Sequence, residues 1–362
     1  MADGDLKINE AVIKQLLNDI YSSNNPNKRA LFKETFRHLF AGVLKGYDKD
    51  FTTVKYNTTD FKMLNDLGYN VGVFSIFKNH DFIKETVKLL KNDDGTLRTK
   101  KEFVTEARKL NDKYNKRYLA TEYDHAISAA RMAAKWQEFE RTKHLYPNLQ
   151  YIAVMDERTR QLHRNWHGLI LPIDHKFWRT HFPPNDWGCR CTARRTDKAV
   201  DDKGVDVEAM PNLPKQFNIN VGIEGKVFDD THPYFKIPEF KTVAAFAHLE
   251  LLAYQVDTYK NQLTGLFKNS LKSEMGNVAI VDTALVKALQ AEHANGWLKN
   301  NLLLKLDELL KDAFYIGSKE AKGKWKYYHY LRLDAYKNII IVLKEDKNKN
   351  LFFEGIVDSV KL

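Results

Sequence analysis

Apolar residues recur every three or four positions in the first fifty residues, and this periodicity predicts two short helices. The first has its apolar residues four apart: Ile8, Val12, Leu16 and Ile20. A second apolar stripe runs from Leu31 to Val43, after a turn-forming cluster of asparagines around Pro26. We therefore assign residues 1–50 to an N-terminal helical segment.

Residues 97–146 contain neither proline nor glycine, which predicts one very long helix or two helices separated by a bend. Thr121 would begin the second of these helices, because a threonine three residues before an acid suits a helix N-terminus. Small residues along one face would let another helix approach closely: Ala126, Ala129, Ala130, Ala133 and Ala134. Residues 52–79 are instead mixed and turn-rich, and Gly68 and Gly72 interrupt their short apolar runs.

Prolines concentrate between Arg194 and Glu239: Pro211, Pro214, Pro233 and Pro238. Few periodic apolar residues accompany them in this part of the chain. Residues 196–240 are therefore expected to form a proline-containing linker, an extended connector draped over the preceding domain rather than a folded unit.

The last third of the chain changes from helical to strand-like patterns, which predicts a separate module. A connecting helix is expected over residues 241–274, helical from Thr242 to Lys272, followed by a short strand and two further helices. Three strand-like runs come last: Trp325–Leu333, Asn338–Leu343 and Leu351–Val357. Helices followed by an antiparallel meander make an α+β domain, which we place at residues 275–362.

Size and composition are those of a folded protein with more than one domain. The 362 residues allow two or three domains, and 43% apolar with 29% charged residues exclude a wholly disordered chain. No apolar run approaches the roughly 20 residues of a membrane span, and the first residues lack the apolar core of a signal peptide, so no membrane association is expected. Two cysteines fit a reducing compartment without a disulfide framework.

The formal net charge of +10 indicates attraction to polyanions, so DNA, RNA and acidic protein surfaces are all candidate neighbours. In the C-terminal module, lysines alternate with aromatic residues: Lys319, Lys322, Lys324, Trp325, Lys326, Tyr327, Tyr328 and Tyr330. Cations interleaved with rings suit a nucleic-acid strand, because lysines meet phosphates while rings stack on bases. The alternative is an aromatic strand with a solvated lysine face.

Both cysteines of the chain lie in one stretch with two histidines that are four residues apart. A helix over Asp156–Trp166, which lacks proline and glycine, would place His163 and His167 on one face. Cys189 and Cys191 would also share a face if their backbone is extended. Two imidazoles and two thiolates would supply the ligands of a closed tetrahedral zinc site.

Other roles for these four residues stay open. In a buried knuckle without a metal, the cysteines would act as small apolar residues. A redox role and a catalytic Cys/His pair are further alternatives, although no third group that would orient such a pair is identifiable. A disulfide is disfavoured because thiols two residues apart cannot easily meet the required geometry.

The same stretch carries several short motifs: Asp156-Glu157-Arg158-Thr159-Arg160, His167-Gly168, Phe177-Trp178 and the run from Pro183-Pro184-Asn185 to Trp187-Gly188-Cys189-Arg190-Cys191. This pattern resembles the signature of the phage Mu F-like head morphogenesis proteins, which are minor capsid proteins of tailed phages and prophages. The resemblance covers roughly residues 100–195, and we place a head morphogenesis domain at residues 51–195. It implies an assembly role inside the capsid near the portal vertex, with the portal protein and capsid components as partners.

The C-terminal module has candidate chemistry of its own. Metal-free RNA cleavage needs a base, an acid and a cation on the phosphate, and five residues are of suitable type: His293, His329, Lys326, Arg332 and Ser359. The order of elements around His293 resembles the phage-associated nuclease-like domains related to barnase, EndoU, colicin and RelE. The resemblance implies a metal-independent ribonuclease, with an inactive or purely structural domain as the alternative.

The sequence thus predicts a mainly α N-terminal head-morphogenesis domain with long helices and a small irregular Cys/His knot, followed by a small α+β domain with an antiparallel sheet. The expected function is that of a phage minor head protein in capsid assembly, carrying a nuclease-like effector domain. The alternatives are an RNase toxin delivered by the virion and a non-catalytic module that binds DNA or RNA. The expected location is the virion, in the capsid interior at the portal vertex, and the host cytoplasm during assembly; zinc is the candidate cofactor.

Overall fold

The computed structural model describes residues 7–23, 26–207, 209, 211, 213–291 and 295–358. The chain divides into two compact units. The first lies within Met1–Lys49 and Asp66–Ala247, and the second within Asp50–Asn65 and His248–Leu362. Across the described ranges, none of the helices combines the length and apolar character needed to cross a bilayer.

Long helices dominate the first half of the chain: α1 (Glu10–Ser23), α2 (Lys28–Tyr47), α3 (Thr59–Lys88), α4 (Lys100–Asp112) and α5 (Leu119–Thr142). Helices α1 and α2 confirm the two N-terminal helices that the periodicity of the sequence predicts. Helix α3 was not expected, because Gly68 and Gly72 suggested turns. Both glycines lie inside this helix, whose buried face carries Leu64, Leu67, Val71 and Phe74. Burial of that face outweighs the roughly 1 kcal/mol that each glycine costs a helix.

Helices α4 and α5 form one continuous helical path through a π-helical segment, Lys113–Tyr118. Thr99 begins it with a capping box, in which Thr99 and Glu102 each bind the other's backbone N–H. The predicted start at Thr121 is wrong. Thr121 lies inside α5, where its hydroxyl donates to the carbonyl oxygen of Arg117 at 3.1 Å.

Helix α5 packs closely against α2, as its alanines predicted. Ala126, Ala129, Ala130 and Ala133 are fully buried. The approach is closest at Gly46 of α2, where a Cβ atom would lie 2.2 Å from the carbonyl oxygen of Ile127. Only a residue without a side chain fits this position.

A small sheet follows the helices: β1 (Asn148–Ile152), β2 (Ile170–Pro172) and β3 (Thr192–Thr196). Strand β1 lies in the middle and pairs antiparallel with both neighbours. Two short helices, α6 (Gln161–Asn165) and α7 (Phe177–Thr180), lie in the connections between the strands. The sheet therefore holds the ends of the β1–β2 and β2–β3 connections, which contain α6 and α7, next to each other beside α5.

Between Thr196 and Phe240, the described residues have little regular structure apart from short helical turns, which include α8 (Val221–Glu224). Their apolar side chains are nevertheless buried in the first unit: Leu213, Phe217, Val221, Val227, Phe228 and Phe235. The ring of Phe228 stacks on Phe74 of α3, with centroids 3.6 Å apart. This segment runs over the helices and supplies part of the core of the first unit.

Among the described residues, the second unit contains the first part of α3 and four further helical segments: the later part of α9 (Phe240–Leu263), α10 (Asp282–Gln290), α11 (Gly296–Leu303) and α12 (Leu306–Asp312). Helix α9 ends at Leu263, earlier than the expected Lys272. Leu271 and Lys272, which the expected helix includes, lie in a strand instead.

The sheet of the second unit has six strands: β4 (Leu271–Ser273), β5 (Gly276–Ala279), β6 (Phe314–Glu320), β7 (Trp325–Arg332), β8 (Ile340–Asp346) and β9 (Leu351–Val357). Their order is β4-β5-β9-β8-β7-β6, and only the β5–β9 pair is parallel. The three expected strands are confirmed as β7, β8 and β9. The sheet is thus mainly antiparallel, and α10 packs against β9.

Candidate metal centre

Two thiols and one imidazole meet inside the first unit. His163 lies in α6, and its Nδ1 atom is 3.8 Å from Sγ of Cys189 and 3.6 Å from Sγ of Cys191. The three candidate ligand atoms lie within 4.8 Å of one another, and all three residues are buried. Neither cysteine forms a disulfide. The structure therefore brings together three of the four residues that the sequence singled out.

His167 is the residue that the structure leaves outside this group. The expected helix over Asp156–Trp166 is only α6, which ends before His167. His167 lies in the following turn with an exposed side chain, and its Nδ1 accepts a hydrogen bond from the backbone N–H of Ala153 at 3.2 Å. The four-residue spacing does not place both histidines on one face here, because the helix is too short to contain both.

Side chains that bind backbone carbonyls shorten this helix. The hydroxyl of Thr159 donates to the carbonyl oxygen of Val154, and the guanidinium of Arg164 donates to that of Asp156. Arg164 also donates through Nε to the carbonyl oxygen of Thr159 at 2.9 Å. These bonds hold residues 154–160 as a loop, so the helix starts only at Gln161.

Two ion pairs join that loop to the segment that carries the cysteines. Asp156 accepts two hydrogen bonds from Arg190, at 2.7 and 2.6 Å, in a paired arrangement. Arg160 contacts Asp186 through Nε at 2.8 Å. Hydrogen bonds from Arg190 hold the pKa of the Asp156 carboxyl below its ordinary value. The pairs fix His163 and the Cys-Arg-Cys segment in one arrangement.

Hydrogen bonds around the two sulfur atoms favour a negative charge at the cluster. Hydrogen bonds from the Cys191 thiol, from His163 and from the backbone N–H groups of Asn185 and Cys191 lower the pKa of Cys189, against its burial. The pKa of Cys191 is raised, mainly because it shares its proton with Cys189. The two sulfurs thus behave as a pair that holds one proton between them.

Tyr151 and Asn185 lie beside the two sulfurs. The Tyr151 hydroxyl is hydrogen-bonded to Cys191, and burial raises the pKa of this hydroxyl well above its ordinary value. Nδ2 of Asn185 donates to the Tyr151 hydroxyl and to the carbonyl oxygen of His181, both at 3.0 Å. A carbonyl oxygen can only accept, so the amide nitrogen must face His181, and this fixes the orientation of the amide. Its other atom, Oδ1, is buried and has no hydrogen-bond partner among the described residues.

The cluster lies in a core rich in aromatic residues, which keeps bulk water away from it. Trp166, Phe177, Trp178 and Phe182 are all 2% exposed or less and belong to the same apolar core as both cysteines. The imidazole of His163 stacks on Trp166, with centroids 5.5 Å apart. Nitrogen and sulfur donors that converge in a dry site are typical of transition-metal centres.

Sequence reasoning did not single out Tyr151 or Asn185 as members of the site. Asn185 belongs to the Pro-Pro-Asn motif, which contributes to the family resemblance, but the motif does not indicate what Asn185 does. Tyr151 lies in β1 and carries no motif, so only the register of the sheet reveals its position.

The candidate catalytic residues of the second unit are dispersed where the structure describes them. His329 is buried in β7, with Nε2 2.9 Å from a carboxylate oxygen of Glu345. Arg332 is three residues further along the same strand, on its opposite face, over the ring of Phe314. Lys326 is exposed at a β-bulge, over the ring of Tyr327. His293 and Ser359 lie outside the described residues.

The part of the first unit that contains the Cys/His cluster also has known relatives. Residues 94–194 match the family described as Phage Mu protein F like protein. The matched residues span α4, α5, the three-stranded sheet and the cluster itself. The Mu F-like region therefore ends in β3, directly after the Cys-Arg-Cys segment.

Two curated proteins share this similarity. The chain is 35% identical over 116 residues to the "Putative capsid assembly protein F" of Escherichia phage Mu, covering 31% of this chain and 26% of that protein. It is 35% identical over 100 residues to the "Mu-like prophage FluMu F protein" of Haemophilus influenzae, covering 27% of this chain and 23% of that protein. The chain thus spans about a quarter of the length of the curated relatives it matches. No solved structure gives a significant match to the chain.

Proposed function

We propose that this protein acts in phage head assembly as a minor head protein. The observation that carries the proposal is the 35% identity to a protein named "Putative capsid assembly protein F". It is supported by the match of residues 94–194 to the Phage Mu protein F like family, since these residues include the Cys/His cluster. The buried cluster would hold this part of the first unit rigid for contact with other head proteins.

The proposed place of action is the capsid interior at the portal vertex, and the host cytoplasm during assembly. The proposed partners are the portal protein and other capsid components. A net charge of +10 fits an interior position, because a basic protein is attracted to packaged DNA. The assembly role and the portal location are separable, and each needs its own measurement.

The assembly role is tested by removing the gene from the phage or prophage that encodes it. Loss of DNA-filled heads, restored by the full chain supplied in trans, is the expected result. Purified heads examined by mass spectrometry are expected to contain the protein. Normal heads that form without the gene and lack the protein would overturn the proposal. Co-purification with the portal protein tests the location, and recovery with the major capsid protein alone would place it elsewhere in the head.

The second unit supports a second proposal, that it binds single-stranded nucleic acid. A groove of about 600 Å³ is lined by Lys324, Trp325, Lys344, Lys347 and Phe352, with other residues. The ammonium groups of Lys324 and Lys344 lie 4.9 and 4.4 Å from the centroid of the Trp325 ring. Lysines around a partly exposed ring suit a strand whose phosphates and bases are bound together.

The salt dependence of binding tests this second proposal. In the full chain, Lys324→Ala with Lys347→Ala is expected to reduce the slope of log affinity against log salt by about 0.7 per lysine for a labelled single strand. Lys268→Ala with Lys272→Ala removes the same charge from exposed positions of the second unit and is the matched control. Equal changes of the slope for the two pairs of substitutions would exclude the groove as the binding site.

RNA cleavage by the second unit is a separate proposal, supported by the His329–Glu345 contact at 2.9 Å. A carboxylate beside an imidazole can orient it and hold it in one tautomer for proton transfer. Full-length protein is expected to cleave RNA without added metal, and His329→Ala is expected to abolish this activity. Cleavage that is unchanged by His329→Ala would exclude the histidine as the base, and no cleavage by the unaltered chain would exclude the nuclease.

A further inference from the structure

The arrangement of the three ligand atoms of the Cys/His cluster fits a single small metal ion. In a tetrahedral zinc site, with zinc bonds of about 2.0–2.3 Å, neighbouring nitrogen and sulfur ligands are about 3.5–3.8 Å apart. The contacts from His163 Nδ1 to the two Sγ atoms are 3.8 and 3.6 Å. Both contacts therefore have a length compatible with one ion shared by the three side chains.

The donor types point to zinc. Two thiolates and one imidazole form the mixed sulfur and nitrogen set that zinc prefers, whereas magnesium and calcium take oxygen ligands. Two thiolates would also balance the charge of a divalent cation. A neutral site of this kind can be buried at much lower cost than an isolated thiolate.

The surroundings of the sulfur atoms supply the outer contacts that zinc thiolates usually have. Backbone N–H groups of Asn185 and Cys191 point to Cys189, and the N–H of Val154 and the hydroxyl of Tyr151 point to Cys191. Such hydrogen bonds orient metal ligands and stabilise their charge. A cysteine pair that only filled apolar space would not need four polar donors.

The fourth coordination position needs a separate answer, because the sequence expected His167 there. Within the described residues, the candidate group contains only His163, Cys189 and Cys191. Asn185 offers a second, independent observation, since its Oδ1 is fully buried and accepts no hydrogen bond from any of the described residues. A zinc-bound water would provide a donor. We propose that His163, Cys189 and Cys191 bind one Zn²⁺ ion, and that Asn185 accepts a hydrogen bond from a water molecule that completes its coordination.

In this scheme, binding leaves both sulfurs as thiolates and releases to solvent any proton that they held, with no oxidation or reduction. Three protein ligands and one water leave one position that can exchange. Asn185 acts as a positioning residue, because it contacts the water rather than the metal. Tyr151 holds both Asn185 and Cys191, and so links the two sides of the site.

Metal content is the direct test, on full-length protein purified with a reductant and without added metal. One zinc ion per chain is expected. The Cys189→Ser, Cys191→Ser and His163→Ala variants are expected to lose it. His167→Ala is the discriminating control, because it should retain the full amount. A metal-free unaltered protein that also fails to take up added zinc would overturn the proposal, and so would loss of zinc from His167→Ala.

The ligand variants could fail to fold, so the unaltered chain also has to be tested. Chelation of zinc is expected to lower the unfolding temperature of the first unit and to expose both thiols to a thiol reagent. Re-addition of zinc should reverse both changes. Thiols that are equally reactive before and after chelation would contradict the assignment.

The role of Asn185 is tested with Co²⁺ as a spectroscopic substitute. Asn185→Ala should keep one metal per chain but weaken its affinity by about 10- to 100-fold, as is usual for an outer contact. Its ligand-field spectrum should also shift, because the water loses its acceptor. Asn165→Ala, at an exposed position on α6, is the control and should leave both unchanged. An unchanged affinity and spectrum in Asn185→Ala would remove Asn185 from the site. The metal proposal does not depend on the assembly role, because these measurements involve only the purified chain.

Discussion

Lys78 and Glu122 form an ion pair in the interior of the first unit, with Nζ and Oε2 2.7 Å apart and side chains that are 0% and 5% exposed. Nζ of Lys78 also donates to the carbonyl oxygen of Tyr114, in the π-helical segment, at 2.7 Å. Burial lowers the pKa of Lys78 and raises that of Glu122, and their mutual attraction opposes both shifts. These contacts therefore link α3 to α5 and to the π-helical segment between α4 and α5.

Removing one member of this pair should be more harmful than removing both. Lys78→Met is expected to destabilise the first unit by roughly 3–5 kcal/mol, because Glu122 would be left buried without its counter-ion. Lys78→Met with Glu122→Leu should be closer to the unaltered protein. Hydrogen exchange in peptides of α3 and α5 is the suitable measurement, since a chain of two units need not unfold in one step. A double variant that is less stable than Lys78→Met would contradict this expectation.

The contact between α2 and α5 predicts that stability falls steeply with side-chain size at position 46. Gly46→Ala would place its Cβ atom 2.2 Å from a backbone oxygen, so the helices must separate, at a cost of roughly 3 kcal/mol. Gly42→Ala, one turn earlier, would meet ring carbons of Tyr123 at 3.0 Å and the backbone oxygen of Tyr123 at 3.2 Å, and should cost less. Thermal unfolding of both variants gives the comparison. Similar losses at the two positions would show that the closer approach at Gly46 does not decide the cost, since helix propensity favours alanine at both positions.

Acid is expected to destabilise the first unit through His232. Burial lowers the pKa of His232 to about 4, below the ordinary value of 6.5, and its Nδ1 accepts a hydrogen bond from the backbone N–H of Tyr234. The unfolded chain therefore binds a proton at a higher pH than the folded chain. The contribution of His232 to the free energy of unfolding is fully present above about pH 6.5. It falls as the pH decreases to about 4, by up to roughly 3 kcal/mol.

His232→Asn isolates that contribution, because asparagine keeps an acceptor for Tyr234 but does not titrate. The variant should lose less stability between pH 6.5 and pH 4 than the unaltered protein, when unfolding by denaturant is followed at each pH. His125 also has its pKa lowered by burial, to about 4, so some acid sensitivity should remain. Parallel curves of unfolding free energy against pH for the two proteins would show that His232 does not cause the acid sensitivity.

The second unit depends on a buried polar network around Asn301. Oδ1 of Asn301 accepts hydrogen bonds from Gln255 at 2.9 Å and Tyr259 at 2.8 Å, and its Nδ2 donates to Asn65 at 3.0 Å. Asn301→Leu should cost roughly 3 kcal/mol or more, because each buried group left without a partner costs about 1–3 kcal/mol. Asn277→Leu, at an exposed position of β5, is the control and should stay within about 0.5 kcal/mol. Hydrogen exchange in peptides of α11 provides the measurement.

Much of the fold follows from local patterns in the sequence. Helices α1 and α2, the long path through α4 and α5, and strands β7 to β9 all have the expected periodicity. Helix α3 was missed because Gly68 and Gly72 disfavour a helix locally, whereas its buried face stabilises it through tertiary packing. Strand β6 was missed because most of its side chains are exposed or partly buried, as expected for a strand at the edge of a sheet. Apolar and polar residues therefore alternate only weakly along it.

The candidate site shows a similar limit. Residue types and motif placed His163, Cys189 and Cys191 together, and their grouping needs only the short sheet and α6. The position of His167 depended on where α6 ends, at Asn165. The start of α6 depended on the bonds of Thr159 and Arg164 to backbone carbonyls, which compete with helix formation and leave no periodic signal.

The topology of the second unit has a consequence for its synthesis. Strand β9 is the last of the described strands to leave the ribosome, yet it lies between β5 and β8 in the sheet. Until it emerges, β5 and β8 each present an unpaired edge, and such edges invite pairing with other chains. The sheet is therefore complete only after translation has passed Val357, the last residue of β9, and a nascent chain stalled before this point would be prone to aggregate.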